Sequence, residues 1–189
     1  RVFSTQFVSD SIFSADFPGK LYPIFSSPAL KYYVQPDMIN GHFYTVVRLR
    51  HNAQLYGQTP QDLMARIDSL LFENIAGKII DKKDIKISDD MQGIEVVSRT
   101  VTGNIQRYRI CVNSTELIMF KLGGKNDYAV GKEGSRFFNS IKFYPAPTQT
   151  KKFEPASGGF AIKVKGRVQY NFDNPGSVGL SEDLVCNDG

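Results

Sequence analysis

The chain has 189 residues, enough for one well-buried domain, or for one domain and part of a second. Hydrophobic residues make up 41% and charged residues 22% of it, a composition that excludes disorder of the whole chain. The net charge of +4 is too small to indicate a nucleic-acid partner, and no apolar run reaches the roughly 20 residues that a membrane-spanning helix needs. We therefore expect a globular domain with neither a nucleic-acid partner nor a transmembrane segment.

Short strands are predicted in the N-terminal third. Residues 13–17 end at the turn pair Pro18-Gly19, and residues 30–35 form a second run that Pro36 is expected to end. Residues 41–51 give the first long strand, because their side chains divide between two faces with the period of a pleated strand. This part of the chain is therefore expected to contribute strands to a sheet.

One long helix is predicted after these strands. Thr59 is a typical N-cap, Pro60 suits the first helical position, and Asp62 is an acidic residue where the backbone N–H groups are unpaired. Gly77 is expected to end the helix in a left-handed conformation. An apolar stripe at intervals of three and four residues predicts a helix of about 17 residues packed by one face on a sheet: Leu63, Ile67, Leu70, Leu71 and Ile75.

The rest of the first 145 residues predicts an antiparallel meander. Tight hairpins are expected at Asp89-Asp90, Gly103-Asn104 and Asn113-Ser114, and a short helix and a last strand at residues 132–139 and 141–144. The predicted fold class is α+β, with an antiparallel sheet of six or seven strands, one long helix and one short helix. The four strands of the meander are expected in residues 78–88, 93–102, 104–113 and 116–123.

Composition also predicts how the chain is divided. We expect an α+β domain over residues 11–145, a Pro/Thr linker over residues 146–152 and a tail over residues 153–189. Residues 160–168 match residues 13–21 in kind at five positions: Phe, a hydrophobe, Gly, a base and a hydrophobe. The tail is therefore either the start of a second repeat or an extra strand that completes the first sheet.

The cysteines and histidines do not indicate a metal site. Cys111 and Cys186 are far apart in sequence, and the alternating run around Cys111 favours a small strand residue over a disulfide to Cys186. His42 and His51 bracket one strand at an odd separation, which predicts that they lie on opposite faces. We therefore predict neither a metal nor a cofactor.

Three arginines are the candidate site for an acidic partner or an anionic ligand. Arg107 and Arg109 share one face of their strand by alternation, and Arg99 lies on the preceding strand across the predicted turn. A stripe of guanidinium groups suits carboxylates and phosphates because each group presents a planar fork of donors. The alternative is a solvated sheet face on which Glu95 and Glu116 lie opposite the arginines.

Four aromatic residues form a second candidate group. Tyr32 and Tyr33 lie on one predicted strand, and Phe43 and Tyr44 lie on the next. Such a group is either part of the core or a patch that binds a partner.

Four blocks of residues carry a resemblance to a known family: residues 17–20, residues 44–49, the turn at Gly103, and residues 136–143. Together with the order of the elements they resemble the PsbP-like family, which includes a luminal photosystem II subunit, a Ran-binding nuclear import factor and exported bacterial proteins of unknown role. The resemblance covers residues 11–144 and implies an α/β/α sandwich in a non-enzymatic binding or assembly protein. The blocks are packing motifs, so they imply a fold and not a specific activity.

No catalytic motif is present: the chain lacks a nucleophile elbow and a phosphate-binding glycine loop. We predict a non-catalytic binding or assembly module of an exported bacterial protein, periplasmic or extracellular, whose partner is a protein or other copies of the domain. One rival is a hydrolytic enzyme whose site, around His42 or His51, is assembled only in three dimensions. The other is a small-ligand carrier with an apolar cavity lined by Leu63, Ile67 and Leu71.

Overall fold

The chain divides into two compact units, residues 1–143 and residues 144–189. The structure is a computed structural model. It describes residues 3–7, 12–27, 29–50, 58–65, 75–89, 91–113, 115–145, 149–154, 158–165, 167–170 and 184–187.

Seven strands of the first unit form one antiparallel sheet. Their bounds are β3 Tyr22–Ser26, β4 Leu30–Asp37, β5 His42–Arg50, β6 Lys78–Lys86, β7 Gln92–Arg99, β8 Ile105–Val112 and β9 Glu116–Gly123. The strands are arranged in the order β3-β4-β5-β9-β8-β7-β6, so β3 and β6 are the two edges. The predicted α+β class with an antiparallel sheet is confirmed, and the predicted meander is the run from β6 to β9.

One face of this sheet is covered by a small sheet and a short helix. The small sheet has the order β1-β2-β10, with β1 at Ser4–Phe7, β2 at Phe13–Phe17 and β10 at Lys142–Phe143. The short helix, α2, spans Lys132–Ser140 and follows a single 3-10 turn at Tyr128–Val130. The core between these layers is largely aromatic. It contains six buried rings from β2, β5, β9 and α2: Phe13, Phe17, Tyr44, Phe120, Phe137 and Phe138.

The opposite face carries a second apolar cluster beside a second helical segment. This segment, α1, comprises the described residues 60–65. The Thr59 hydroxyl accepts the Asp62 N–H at 3.2 Å, which confirms the predicted N-cap. Leu63 is buried, whereas Ile67, Leu70 and Leu71 lie outside the described residues. Met64 of α1 packs against the cluster, which consists mainly of strand residues: Ile75, Ile94, Val96, Tyr108 and Ile110.

Gly77, predicted to end the long helix, lies just before β6 with φ +83°. A Cβ atom there would stand 2.1 Å from the Arg99 carbonyl oxygen, so the position needs glycine for space as well as for its backbone conformation.

Two local predictions are wrong. The hairpin at Gly103-Asn104 is wider than the tight turn that was predicted, because Arg99 pairs with Ile105 and residues 100–104 form the connection. β4 also continues through Pro36 to Asp37. Edge strand β3 reaches only as far as Val34 along β4, so Pro36 lies where β4 has a partner on one side only and a missing N–H is tolerated.

The second unit contains two antiparallel hairpins. β11 Lys151–Phe153 pairs with β12 Ile162–Val164, and β13 Arg167–Tyr170 pairs with β14 Leu184–Asn187. β11 begins inside the segment predicted as a linker. Within the described residues of this unit β12 pairs with β11 alone.

Candidate partner-binding surface

Two of the three candidate arginines surround Glu95 instead of facing solvent as a stripe. Arg109 pairs with one carboxylate oxygen of Glu95, and Arg107 Nη2 lies 3.0 Å from the other. Lys83 of edge strand β6 adds its Nζ at 3.2 Å. Three cations thus meet one carboxylate, and the cluster keeps an excess of positive charge.

This cluster is also covered by α2. Arg109 Nη1 donates to the Phe138 carbonyl oxygen at 2.7 Å, and the Arg107 guanidinium lies 4.4 Å from the centroid of the Phe138 ring. The donation satisfies a carbonyl in the last turn of the helix and brings positive charge to its negative end. The face is therefore neither an open stripe nor the solvated surface that was the alternative prediction.

Burial acts to raise the pKa of Glu95, but the hydrogen bond from Arg109 and the charges of Arg107 and Arg109 outweigh it and lower that pKa to about 2. Glu95 is accordingly a carboxylate at neutral pH. Its main role in this geometry is to hold the two arginines on the sheet.

Arg99, the third candidate arginine, is separate from this cluster. It is exposed, and its Nη1 donates to the Gly103 carbonyl oxygen at 3.3 Å. It shares a sheet face with Arg107, as predicted, but contacts the loop that follows its own strand.

A buried ion pair that the sequence did not suggest joins β5 to β9. Arg48 and Glu116 are 3% and 1% exposed, and Arg48 Nε and Nη2 donate to Glu116 Oε2 at 2.9 and 2.6 Å. Asn113 holds the start of β9 in place, because its side-chain oxygen accepts the Glu116 N–H at 2.9 Å. Glu116 thus bonds to a residue of β5 and not to the candidate arginines.

The four candidate aromatic residues do not form one patch. Tyr33 and Tyr44 lie on the sheet face that packs against β2 and α2, and Tyr44 is fully buried. Tyr32 and Phe43 lie on the other face, where Lys121 stands 5.4 Å from the centroid of the Phe43 ring. Because side chains alternate along a strand, neighbours in sequence necessarily separate in this way.

His42 is held by packing at one end of the sheet. Its ring stacks on Tyr128 with a centroid distance of 3.4 Å, and its Nδ1 lies 3.9 Å from Asp37 Oδ2. The Tyr128 hydroxyl in turn lies 2.8 Å from that of Tyr44. A Cβ at Gly124 would stand 2.6 Å from the His42 ring, so glycine is required beside it. His51 lies outside the described residues.

Cys111 is a free, buried thiol, and burial raises its pKa to about 12. The preferred sequence interpretation, a small strand residue without a disulfide, is therefore confirmed for Cys111. Among the described residues no group of three or more His, Cys, Asp and Glu side chains is placed to hold a metal ion. Within the same part of the chain, no helix has the length and apolar character that a membrane crossing requires.

A groove of about 300 Å³ lies where the start of α1 meets strands β6 and β7. The carrier hypothesis expected an apolar cavity lined by Leu63, Ile67 and Leu71. Leu63 is buried and is not among the described lining residues, and the other two lie outside the described residues. The described lining is mostly polar: Gln61, Met64, Ala65, Lys82, Asp84, Gln92 and Gly93.

The most exposed apolar strand of the sheet is edge strand β3. Its sequence is Tyr-Pro-Ile-Phe-Ser, and all five residues are exposed, Ile24 to 62%. The β4–β5 turn, beyond the Tyr22 end of this strand, adds Met38 and Ile39, which are almost fully exposed. Large apolar side chains concentrated on one edge are typical of a surface that binds a partner.

The β3 backbone limits how a partner can bind. Pro23 has no N–H, and the pairing with β4 shifts at Ile24, which marks a bulge. Both features interrupt a continuous ladder of hydrogen bonds along the free edge. Recognition therefore has to depend mainly on the side chains of Tyr22, Ile24 and Phe25.

Sequence analysis missed this surface for a physical reason. A run of five residues that contains a proline has no clear period, and apolar character alone does not separate a buried strand from an exposed one.

Comparison with protein-family models found no matching family, and comparison with curated proteins found no matching relative.

Proposed function

We propose that the chain is a non-catalytic binding or assembly module whose first unit engages a protein partner along edge strand β3. The observation that carries the proposal is the exposure of Tyr22, Ile24 and Phe25 on the edge of a sheet whose two faces carry buried apolar clusters. Export of the protein, and the resemblance to the PsbP-like family, remain predictions beside it.

The exposed side chains of β3 indicate what kind of segment the partner presents. Its exposed side chains are apolar, the strand is short, and Lys20 lies over the Tyr22 ring at 5.8 Å. We expect an extended segment with alternating apolar residues, because such a segment can match the spacing of Tyr22, Ile24 and Phe25 and form the few backbone hydrogen bonds that Pro23 permits.

Opposite edge strand β6 offers a matched control. Ile80 lies at a bulge of β6 and is 48% exposed, as Ile24 lies at a bulge of β3. Ile24→Lys and Ile80→Lys therefore place the same charge at equivalent positions on the two edges. Both positions are exposed, so we expect either change to alter the free energy of unfolding by about 0.5 kcal/mol or less.

The experiment selects peptides from a random displayed library on the intact chain and measures the affinity of the selected peptides for each variant. We expect Ile24→Lys to weaken binding at least tenfold, about 1.4 kcal/mol, and Ile80→Lys to leave it unchanged. Equal affinities for the two variants, or selected peptides without apolar residues, would contradict the proposal.

A second candidate function is binding of an anionic ligand at the Glu95 cluster, and the excess of positive charge there is the observation that favours it. Inorganic phosphate is the probe. It is expected to raise the Tm of the unchanged chain but not that of Lys83→Met, which removes the most exposed of the three cations. A rise of equal size in both proteins would exclude this site.

A further inference from the structure

The first hairpin of the second unit repeats the first hairpin of the chain in register. Lys151 and Val164 are paired in β11–β12, and each lies 147 positions after its counterpart in the pair Ser4 and Phe17 of β1–β2. All three pairs of the later hairpin keep this offset. The two hairpins therefore share the register of these three pairs, although β1–β2 has a fourth pair, Phe7 and Ser14, and a correspondingly shorter connection. Register decides which side chains point to which face.

The same offset aligns the side chains. It places Phe160 on Phe13 and Ile162 on Ala15, and it aligns Gly166 with Gly19. The match in residue kinds that is visible in the sequence thus has the same offset as the backbone register, although the two observations are independent. A second antiparallel hairpin follows in both places, β3–β4 in the first unit and β13–β14 in the second.

Burial distinguishes the two hairpins. Phe13 and Ala15 are fully buried, whereas their counterparts Phe160 and Ile162 are 48% and 39% exposed. In the first unit Phe13 packs edge-to-face on Phe120 of β9, with ring centroids 4.8 Å apart. The third counterpart, Val164 for Phe17, is only 8% exposed, so the later hairpin exposes two of the three side chains that the earlier one uses to join a helix-and-sheet layer.

We propose that β11–β12 is a second copy of the β1–β2 hairpin, and that its exposed apolar residues, Phe160 and Ile162, bind a second copy of the layer that covers β2. That layer, formed in the first unit by β5, β9 and α2, presents the rings of Tyr44, Phe120 and Phe137. The Ser140 hydroxyl also accepts the N–H of Asp16 at 2.9 Å. Because this bond uses the backbone of β2, it remains available when another side chain replaces that of Asp16.

The first unit supplies the layer with which to test this. In a chimera of the full chain, residues 13–21 are replaced by the sequence of residues 160–168. Phe13 is unchanged, and the added volume of Ala15→Ile is partly offset by the loss in Phe17→Val. We expect a single cooperative thermal transition, with Tm lowered by about 10 °C or less.

A control chimera uses residues 161–169, shifted by one position. The shift places lysines at positions 15 and 17, which are fully buried in the unchanged chain, so we expect the cooperative transition to be lost. If the shifted chimera is as stable as the in-register one, the register carries no information and the proposal is wrong.

The double variant Ala15→Ile, Phe17→Val shows which residues are responsible if the in-register chimera does not fold. If it folds and the in-register chimera does not, the outward-facing residues of the later hairpin are incompatible with the layer. If neither folds, its inward-facing residues do not fit. Either result overturns the proposal, and neither affects the proposal for β3, because Tyr22, Ile24 and Phe25 lie outside the replaced segment.

Discussion

The two flanks of the large sheet, β3–β4–β5 and β8–β7–β6, meet at β9 and protect their edges differently. Edge strand β6 carries six charged residues among nine and has its bulge at Ile80. Edge strand β3 carries no charge, and only Pro23 and the bulge at Ile24 interrupt it. Charged side chains disfavour pairing with another strand because they would lose solvation, whereas a proline and a bulge obstruct only a regular ladder. The β3 edge therefore stays available to a partner that binds through side chains.

The ion pairs on the two flanks also differ, in their exposure to solvent. On the β3 flank, Arg48 and Glu116 are sealed from solvent. On the β6 flank, the exposed amine of Lys83 reaches Glu95 from the edge strand itself. When one partner of a sealed pair is removed, water cannot reach the remaining charge. In a cluster with an exposed member, the remaining charges can move toward solvent. Loss of a partner is therefore expected to cost more stability in the sealed pair than in the Glu95 cluster.

The largest effect is expected from breaking the sealed pair. Glu116→Leu leaves the Arg48 guanidinium buried without its carboxylate, and we expect the free energy of unfolding to fall by about 3–5 kcal/mol. Arg48→Met added to Glu116→Leu removes the buried charge that has lost the Glu116 carboxylate and should recover most of the loss. Denaturant unfolding of the single and double variants measures both. A double variant no more stable than Glu116→Leu would show that the pair is not the cause.

A smaller effect, dependent on pH, is expected at Glu95. Its pKa in the folded state is about 2, below the ordinary value of 4.5, so the unfolded chain binds the proton more readily. The Glu95 contribution is therefore complete above about pH 4.5 and is lost as the pH falls toward 2. Glu95→Gln should remove this part of the acid dependence and lower stability at pH 7 by about 1–3 kcal/mol. Unfolding of both proteins between pH 2 and 7 checks it, and parallel pH profiles would contradict it.

The smallest effect on stability is expected at the β3 edge. Pro23→Thr restores an N–H to an exposed strand, and we expect the free energy of unfolding to change by about 0.5 kcal/mol or less. The edge then forms a ladder more readily, so sedimentation velocity should show more self-association at high protein concentration. Adding Ile24→Lys should reverse this. An unchanged sedimentation coefficient for Pro23→Thr would mean that the proline does not protect this edge.

The elements with strong local signals were predictable from the sequence. The start of α1 at Thr59 and Pro60 depends on unpaired N–H groups of the first turn, and the strands from β6 to β9 depend on a period of two. Both are interactions within a few residues along the chain, so the α+β class and the antiparallel sheet followed from pattern alone.

The candidate site was predictable only in part. Alternation correctly placed Arg107 and Arg109 on one face, and the alternative prediction correctly placed Glu95 opposite them, but the sequence could not show that α2 would cover this cluster. Alternation also separates Tyr33 from Tyr32, which the grouping of four aromatic residues overlooked.

What the sequence alone determined is the elements with strong local signals, such as β5 and the strands from β6 to β9, and the resemblance between residues 160–168 and residues 13–21, because both depend on residue type and spacing. Strands β1 and β3 were not predicted. The tertiary structure decided which edge of the sheet is charged and which is apolar, and which apolar side chains are covered. Strand order brings together residues as distant as Arg48 and Glu116, and exposure depends on what packs against each strand. These are long-range properties, so Ile24 and Phe160 could be recognised as exposed only in the folded chain.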